Sequence, residues 1–313
     1  MDQQVLELIE QSAAIPTMPQ VVTRFIELSA DPDYELDDLV EVLSSDPGIT
    51  GELLRMTNSA LFGLARKVTS LKQAVALLGM ARVRTLVLGR YLVERMQQWS
   101  DLPSGYDRDY YWRRSLTQAV LASRLAEHLA PRHRQEAFIA GLLADTGIVV
   151  LAQALPDRYQ SLLLEYMPLK GKRLFVDMEA ERLGVTHADV SALVLEKWML
   201  PELVVSAVRR HHESFAQTAT EQDQLAHIVA AADAVSKLLC EKPDHTTVAE
   251  NCRKALDGLG IGTAGLARVL GQIQDDIQQF ADLLGVSVIR SNVYNRAIQL
   301  IQDDLLATAQ TET

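Results

Sequence analysis

The sequence predicts an all-α protein. Apolar residues recur at three- and four-residue intervals along most of the 313-residue chain, as at Ile49, Leu53 and Met56. The breaks between these runs fall on Pro, Gly, Asp and Ser, the residues that stop and restart helices. No strand-like alternation and no Asn-Gly hairpin signal interrupts the pattern.

Taken in order, residues 1–100 read as a helical subdomain. Ile15-Pro16-Thr17-Met18-Pro19 makes the first break, and Val21, Val22, Phe25, Ile26 and Leu28 form the next apolar face. Leu36, Leu39, Val40 and Leu43 make a helix that stops at Ser44-Ser45-Asp46-Pro47. There Asp46 is expected as N-cap and Pro47 at the first helical position. Beyond Asn58-Ser59-Ala60-Leu61-Phe62-Gly63-Leu64, Ser70 is the expected cap of a helix over Leu71 to Leu78. Gly79 ends it before a further helix from Val83 to Met96. Arg82, Arg84 and Arg90 on that second helix invite a helix-turn-helix reading. Its many apolar positions and the acidic chain favour an ordinary helical hairpin with solvated arginines.

Trp99 to Tyr106 is the best boundary, and residues 101–256 form a second helical array. Tyr111, Trp112, Leu116, Val120, Ala122 and Leu125 lead to Leu129, and Pro131-Arg132-His133-Arg134 turns the chain into the apolar stretch from Phe138 to Leu151. Leu155-Pro156 and Met167 to Gly171 are further breaks. Thr186 is the expected cap of a helix from His187 to Met199, and Pro201 starts one ending near His211-His212. Leu225, Ile228, Val229, Ala232 and Leu239 define another. The Gly-rich stretch Asp257 to Gly265 separates a final helical segment, 257–313, whose Asp275, Asp276, Asp282, Asp303 and Asp304 are expected on a solvated face.

With 48% hydrophobic residues, the chain can bury a core spread over two or three subdomains. No charge-free apolar run of membrane length and no basic-then-apolar start is present, so the expected setting is the cytoplasm, away from membranes. Cys240 and Cys252 show no ligand grouping and are expected to be structural. A net charge of −11 argues against nucleic acid as a partner.

The chemistry centres on Asp145. Phe138, Gly141 and Leu142 precede it by seven, four and three residues, which puts its carboxylate in the buried stripe. A buried carboxylate needs a cation, a metal or a set of donors. His187, at the head of the Val190 and Val194 stripe, His211, extending Val204, Ala207 and Val208, and Asp233, four after Val229, point to the same core. His212 stands beside His211 at a helix end, where solvent is an equal alternative, and His128, His133, His227 and His245 have no patterned partner. Imidazole and carboxylate together suit a divalent first-row metal. No Gly-rich phosphate loop, Gly-x-Ser-x-Gly elbow or activated Cys is present, and no catalytic residue is expected.

The order of motifs resembles the HD phosphohydrolase superfamily, and most closely the HDOD family, the HD-related output domain of bacterial signalling proteins. The resemblance rests on Ile15 to Pro19, Leu43 to Pro47, Asn58 to Gly63 and Gln73 to Arg84, and covers roughly residues 10–240. It implies an HD-like helical core preceded by the N-terminal helices. It also places the superfamily's first metal-binding His at Arg114, the His of its His-Asp pair at Ala144, and a frequently following Lys at Ile148. Asp145 and Asp233 match, and the extra histidines of two- and three-metal HD-GYP relatives are matched by His187, His211 and His212. The resemblance therefore implies a degenerate phosphohydrolase acting as a non-enzymatic regulatory module through contacts with an unidentified signalling protein. No cofactor is expected beyond one weakly bound divalent metal at Asp145, His187 and His211. Two alternatives are a single-metal phosphohydrolase acting on a nucleotide or cyclic dinucleotide, and a sensor that binds a small anion beside Arg114.

Overall fold

The structure is a computed structural model. It describes residues 3–12, 14–15, 17–31, 34–59, 64, 66–98, 102–104, 106–166, 174–213, 220–240, 259–261, 263–286, 299 and 302–303. Among these the regular structure is entirely helical. Met167 to Gly171, Cys252, His245, Asp304, Ala60 to Gly63 and the Arg82 side chain lie outside the described residues, as do parts of Trp99 to Tyr106 and of Asp257 to Gly265.

The first six helices are α1 (Gln3–Gln11), α2 (Gln20–Ala30), α3 (Leu36–Ser44), α4 (Pro47–Thr57), α5 (Leu71–Leu78) and α6 (Met80–Gln98). Their ends follow local chemistry. The Asp46 side chain accepts from the Gly48 and Ile49 amides with Pro47 in the first turn, Ser70 accepts from Gln73, and Gly79 ends α5 at a φ of 80°. Asp46 also accepts from the Tyr91 hydroxyl at 3.0 Å, tying the start of α4 to α6. Asp46→Ala is therefore expected to cost about 1 to 2 kcal/mol of stability, at the upper end for a lost cap, readable as a lower urea midpoint at unchanged slope. Arg90 departs from the solvated face expected for it. Its guanidinium donates to Glu52 at 2.7 Å and its side chain is only 16% exposed, because α4 packs across α6 there.

The remaining helices are α7 (Arg108–Leu129), α8 (Arg134–Leu143) after a 3-10 turn (Pro131–His133), α9 (Thr146–Ala154), α10 (Pro156–Glu165), α11 (Phe175–Leu183), α12 (His187–Lys197), α13 (Glu202–Arg209), α14 (Glu221–Cys240) and α15 (Thr263–Leu284). Among the described residues, the α7 and α8 pair makes the most extensive helix-to-helix contact. It is that close because Gly141 has no side chain: a Cβ there would stand 2.9 Å from the Ala119 Cα. Helix α12 packs on α9, and α14 on α7. The stretch Pro131–Ala154 is long and apolar enough to cross a membrane by composition, yet its most apolar 18-residue window is 89% buried inside the protein.

One hydrophobic cluster runs through helices on both sides of residue 100, with α6 against α8 and α1 against α9. Helix α15 joins it from the far end through Phe280, whose ring lies 4.4 Å from that of Phe138. The solvated face expected of the final segment holds for Asp275, Asp282 and Asp303, which are exposed. It fails for Asp276, which faces α7 and pairs with Arg124 at 2.6 Å. Two other local expectations change. The helix begun at His187 ends at Lys197 rather than Met199, which takes a left-handed φ of 52°. Asp145 is buried as expected, but it sits at the junction between α8 and α9 and not inside a continuous helix.

Candidate functional site: a buried ion-pair and histidine cluster

The α8–α9 junction is held by one small side chain. Ser191 on α12 donates to the Ala144 carbonyl at 2.6 Å and accepts from the Gly147 amide at 2.7 Å. Backbone groups freed at the break are thus satisfied from the neighbouring helix. The Asp145 side chain makes no capping bond to its own helix and turns to the interior instead.

Arg114, on α7, meets it there. One guanidinium nitrogen lies 3.1 Å from Asp145 Oδ2 and another 2.5 Å from Asp233 Oδ1. Arg114 is 7% exposed, Asp145 1% and Asp233 3%. The adjacent Arg113 points elsewhere, its guanidinium over the Tyr110 ring. Lys237, one turn after Asp233 on α14, gives that carboxylate a second cation at 2.7 Å. Burial pulls the Asp145 carboxyl upward, but Arg114, then His187 and His211, hold it well below its usual range. Burial acts the same way on Asp233 and is overcome by Lys237, Arg114 and His212. Burial would weaken the Arg114 guanidinium as a base, and the two aspartates more than reverse this.

The histidines meet on the other side of Asp145. His187 Nε2 and His211 Nε2 lie 3.4 and 3.7 Å from Asp145 Oδ1, and His212 Nε2 lies 2.7 Å from His187 Nε2. Each ring turns its Nδ1 toward an acceptor. His187 donates to Glu179 Oε2 at 2.5 Å, His211 to the Val208 carbonyl at 2.5 Å, and His212 faces Asp233 Oδ2 at 3.3 Å. Because these acceptors claim Nδ1, the three Nε2 atoms face inward together. Burial depresses His187, but Glu179 and Asp145 outweigh it and lift the imidazole to about 9. His212 is pressed well below its usual value by burial, then by His211 and Lys237. These opposite directions suit a hydrogen bond given by His187 Nε2 and received by His212 Nε2.

The structure thus brings Arg114, Ala144, Asp145, His187, His211, His212 and Asp233 to one place. Asp145, His187, His211 and His212 present ligand atoms within 4.8 Å of one another. Donor chemistry tests the two metal positions differently. A guanidinium and an alanine methyl stand where the superfamily would place its first two ligands, and neither can bind a cation, so the first position does not fit. One carboxylate oxygen with inward imidazoles does fit a single divalent ion. Outside the cluster, His133 Nε2 reaches Glu221 at 3.2 Å, His128 is exposed, and His227 and Cys240 are buried.

Sequence reasoning missed Glu179, Ser191 and Lys237. Glu179 is fully buried, its second oxygen taken by the Tyr159 hydroxyl. It shares the stripe of Phe175, Met178 and Leu183, a carboxylate on an apolar face like Asp145 itself. Ser191 lies midway between His187 and Leu195 on the buried face of α12.

A family model for the HDOD domain matches residues 15–214. The chain belongs to the HDOD family. An HDOD domain protein of unknown function from Geobacter sulfurreducens has the same fold at 21% identity, with a TM-score of 0.63 over 89% of this chain and 96% of that one. A candidate signal transduction protein from Marinobacter aquaeolei is 25% identical, with a TM-score of 0.54 over 99% of this HDOD protein and 61% of its own length. An uncharacterized protein of Treponema pallidum is 26% identical over 204 residues, 63% of this chain but only 38% of that protein. The chain therefore spans well under half of that relative.

Proposed function

We propose that this HDOD protein is a non-enzymatic regulatory module of the cytoplasm that acts through contacts with a signalling protein. The observation that carries the reading is the placement of Arg114 between Asp145 and Asp233. Metal-assisted phosphodiester hydrolysis needs an ion with open positions, which lowers the pKa of a bound water and clamps phosphate oxygens. A guanidinium neutralises the same carboxylates, but it has no open position for water and cannot supply hydroxide. The likeness to the Marinobacter signal transduction protein supports the regulatory role. The test is hydrolysis by the purified protein, with added Mn²⁺, of nucleoside phosphates and cyclic dinucleotides. No turnover above a protein-free control is expected; turnover that disappears in Asp145→Ala would overturn the reading.

A second reading has its own observation, the three Nε2 atoms turned toward Asp145. Asp145, His187 and His211, with His212 beside them, would hold one ion, which when bound would supply Lewis acidity. The chain's own part would be orientation: Glu179 fixes the His187 ring, the Val208 carbonyl fixes His211, and Arg114 keeps Asp145 ionised. Full structural zinc sites are worth roughly 10 to 16 kcal/mol, and a site sharing its carboxylate with Arg114 is expected to be weaker. Elemental analysis after dialysis against a chelator is expected to find substoichiometric metal. One ion retained per chain would favour this second reading.

A further inference from the structure

The buried cluster forms the floor of a cavity of about 300 Å³. Its walls are largely aromatic: Tyr106 just before α7 and Tyr110 in its first turn, Leu163 at the end of α10 and Tyr166 just after it, and Phe175 at the start of α11. Tyr166 and Phe175 stand 4.9 Å apart between ring centres, tilted at 52°, so that two faces bound the space. A volume of this size admits one ring or two fused rings, and flat molecules gain most from such walls.

Charge then decides the class of ligand. The basic side chains among the described residues that line the cavity are Arg114, His187 and Lys237. Each is already engaged: Arg114 by Asp145 and Asp233, His187 by Glu179 and Asp145, Lys237 by Asp233. Asp107 adds another carboxylate to the lining. An anion entering here would face balanced or negative charge and would have to break an existing pair, which is costly in a buried setting. An uncharged ring meets no such penalty. Arg114 Nε is a buried donor without a hydrogen-bond partner among the described residues, and the buried Tyr111 hydroxyl has only Ser115 and Thr146 beside it, neither in good hydrogen-bond geometry. Buried donors are normally satisfied, and both belong to residues that line this cavity.

We infer that the cavity binds a small, uncharged, planar heteroaromatic molecule that offers a hydrogen-bond acceptor to Tyr111 or Arg114 and stacks among Tyr110, Tyr166 and Phe175. This goes beyond the regulatory reading and would stand if that reading failed, since it concerns occupancy and not turnover. It also replaces the small-anion expectation, because the cations beside Arg114 are not free to receive one.

The test is calorimetric titration of the full chain with hypoxanthine and quinoline as uncharged probes, and with inosine 5′-monophosphate and inorganic phosphate as anionic ones. Saturable binding of at least one uncharged ring is expected, with hypoxanthine preferred to its monophosphate. Leu163→Trp, at a partly exposed wall position, should fill the space and weaken binding at least tenfold. Tyr110→Leu, also partly exposed, is the second variant should the first misfold, and should weaken binding severalfold with the thermal midpoint little changed. No binding by any uncharged probe, binding unaffected in the folded variants, or tighter binding of the phosphates would each overturn the inference.

Discussion

Arg114→Ala is expected to destabilise the fold by roughly 3 to 5 kcal/mol, the cost of removing one partner from a buried ion pair. The arginine side chain is 8% exposed and bridges two helices' worth of carboxylate, Asp145 before α9 and Asp233 on α14. Its removal leaves Asp145 with His187, which is already paired with Glu179, and with His211, whereas Asp233 keeps Lys237. The stranded charge is therefore mainly that of Asp145. Combining Arg114→Ala with Asp145→Asn should recover much of the loss, because the uncompensated charge is gone. Urea denaturation of the wild type, the two single variants and the double variant closes the cycle. Additivity within about 0.5 kcal/mol would show that the two side chains are not coupled.

Gly147→Ala is expected to have an effect of similar size for a different reason. A Cβ at this position would stand 2.1 Å from the His187 carbonyl oxygen and 2.8 Å from the Ser191 amide nitrogen. These are backbone atoms of a buried helix and cannot rotate away as a side-chain tip could. Helices α9 and α12 would have to separate, stretching the Gly147 amide bond to Ser191 and moving His187 from Asp145. Overpacking costs typically about 1 to 3 kcal/mol, and the forced loss of that bond puts this variant at or above the top of the range. Gly51 is the control, since a Cβ there meets nothing within 4 Å and α4 is helical around it. Gly51→Ala is expected to be neutral or to stabilise by up to about 1 kcal/mol. A Gly147→Ala melting temperature equal to that of the wild type would refute the steric account.

What the sequence made legible follows from the range of the interactions involved. The caps at Asp46, Ser70 and Thr186 depend on residues two or three positions away, and all are found where local pattern puts them. Burial of Asp145, His187, His211 and Asp233 was also legible, because each extends an apolar stripe. The break at Asp145 was not, since apolar residues continue on both sides and their periodicity hides a change of helix axis. Which of the adjacent Arg113 and Arg114 turns inward depends on which face of α7 meets α8 and α14, a tertiary fact with no local signal. Glu179 was missed because a single acidic residue on an amphipathic helix ordinarily faces water. Its hydrogen-bond partner His187 lies eight residues away across a turn.

The HDOD match ends at residue 214, yet Asp233 and Lys237 sit on a helix that begins at Glu221. The segment recognisable across relatives and the segment that is electrostatically closed are thus different lengths of chain. Transplanting residues 15–214 into another protein would carry over Arg114, Asp145 and all three clustered histidines while leaving behind half of the arginine's counter-charge. A recombination event that respected only the recognisable boundary would inherit an arginine with one carboxylate in place of two. The host would have to furnish an acidic side chain of its own at that spot.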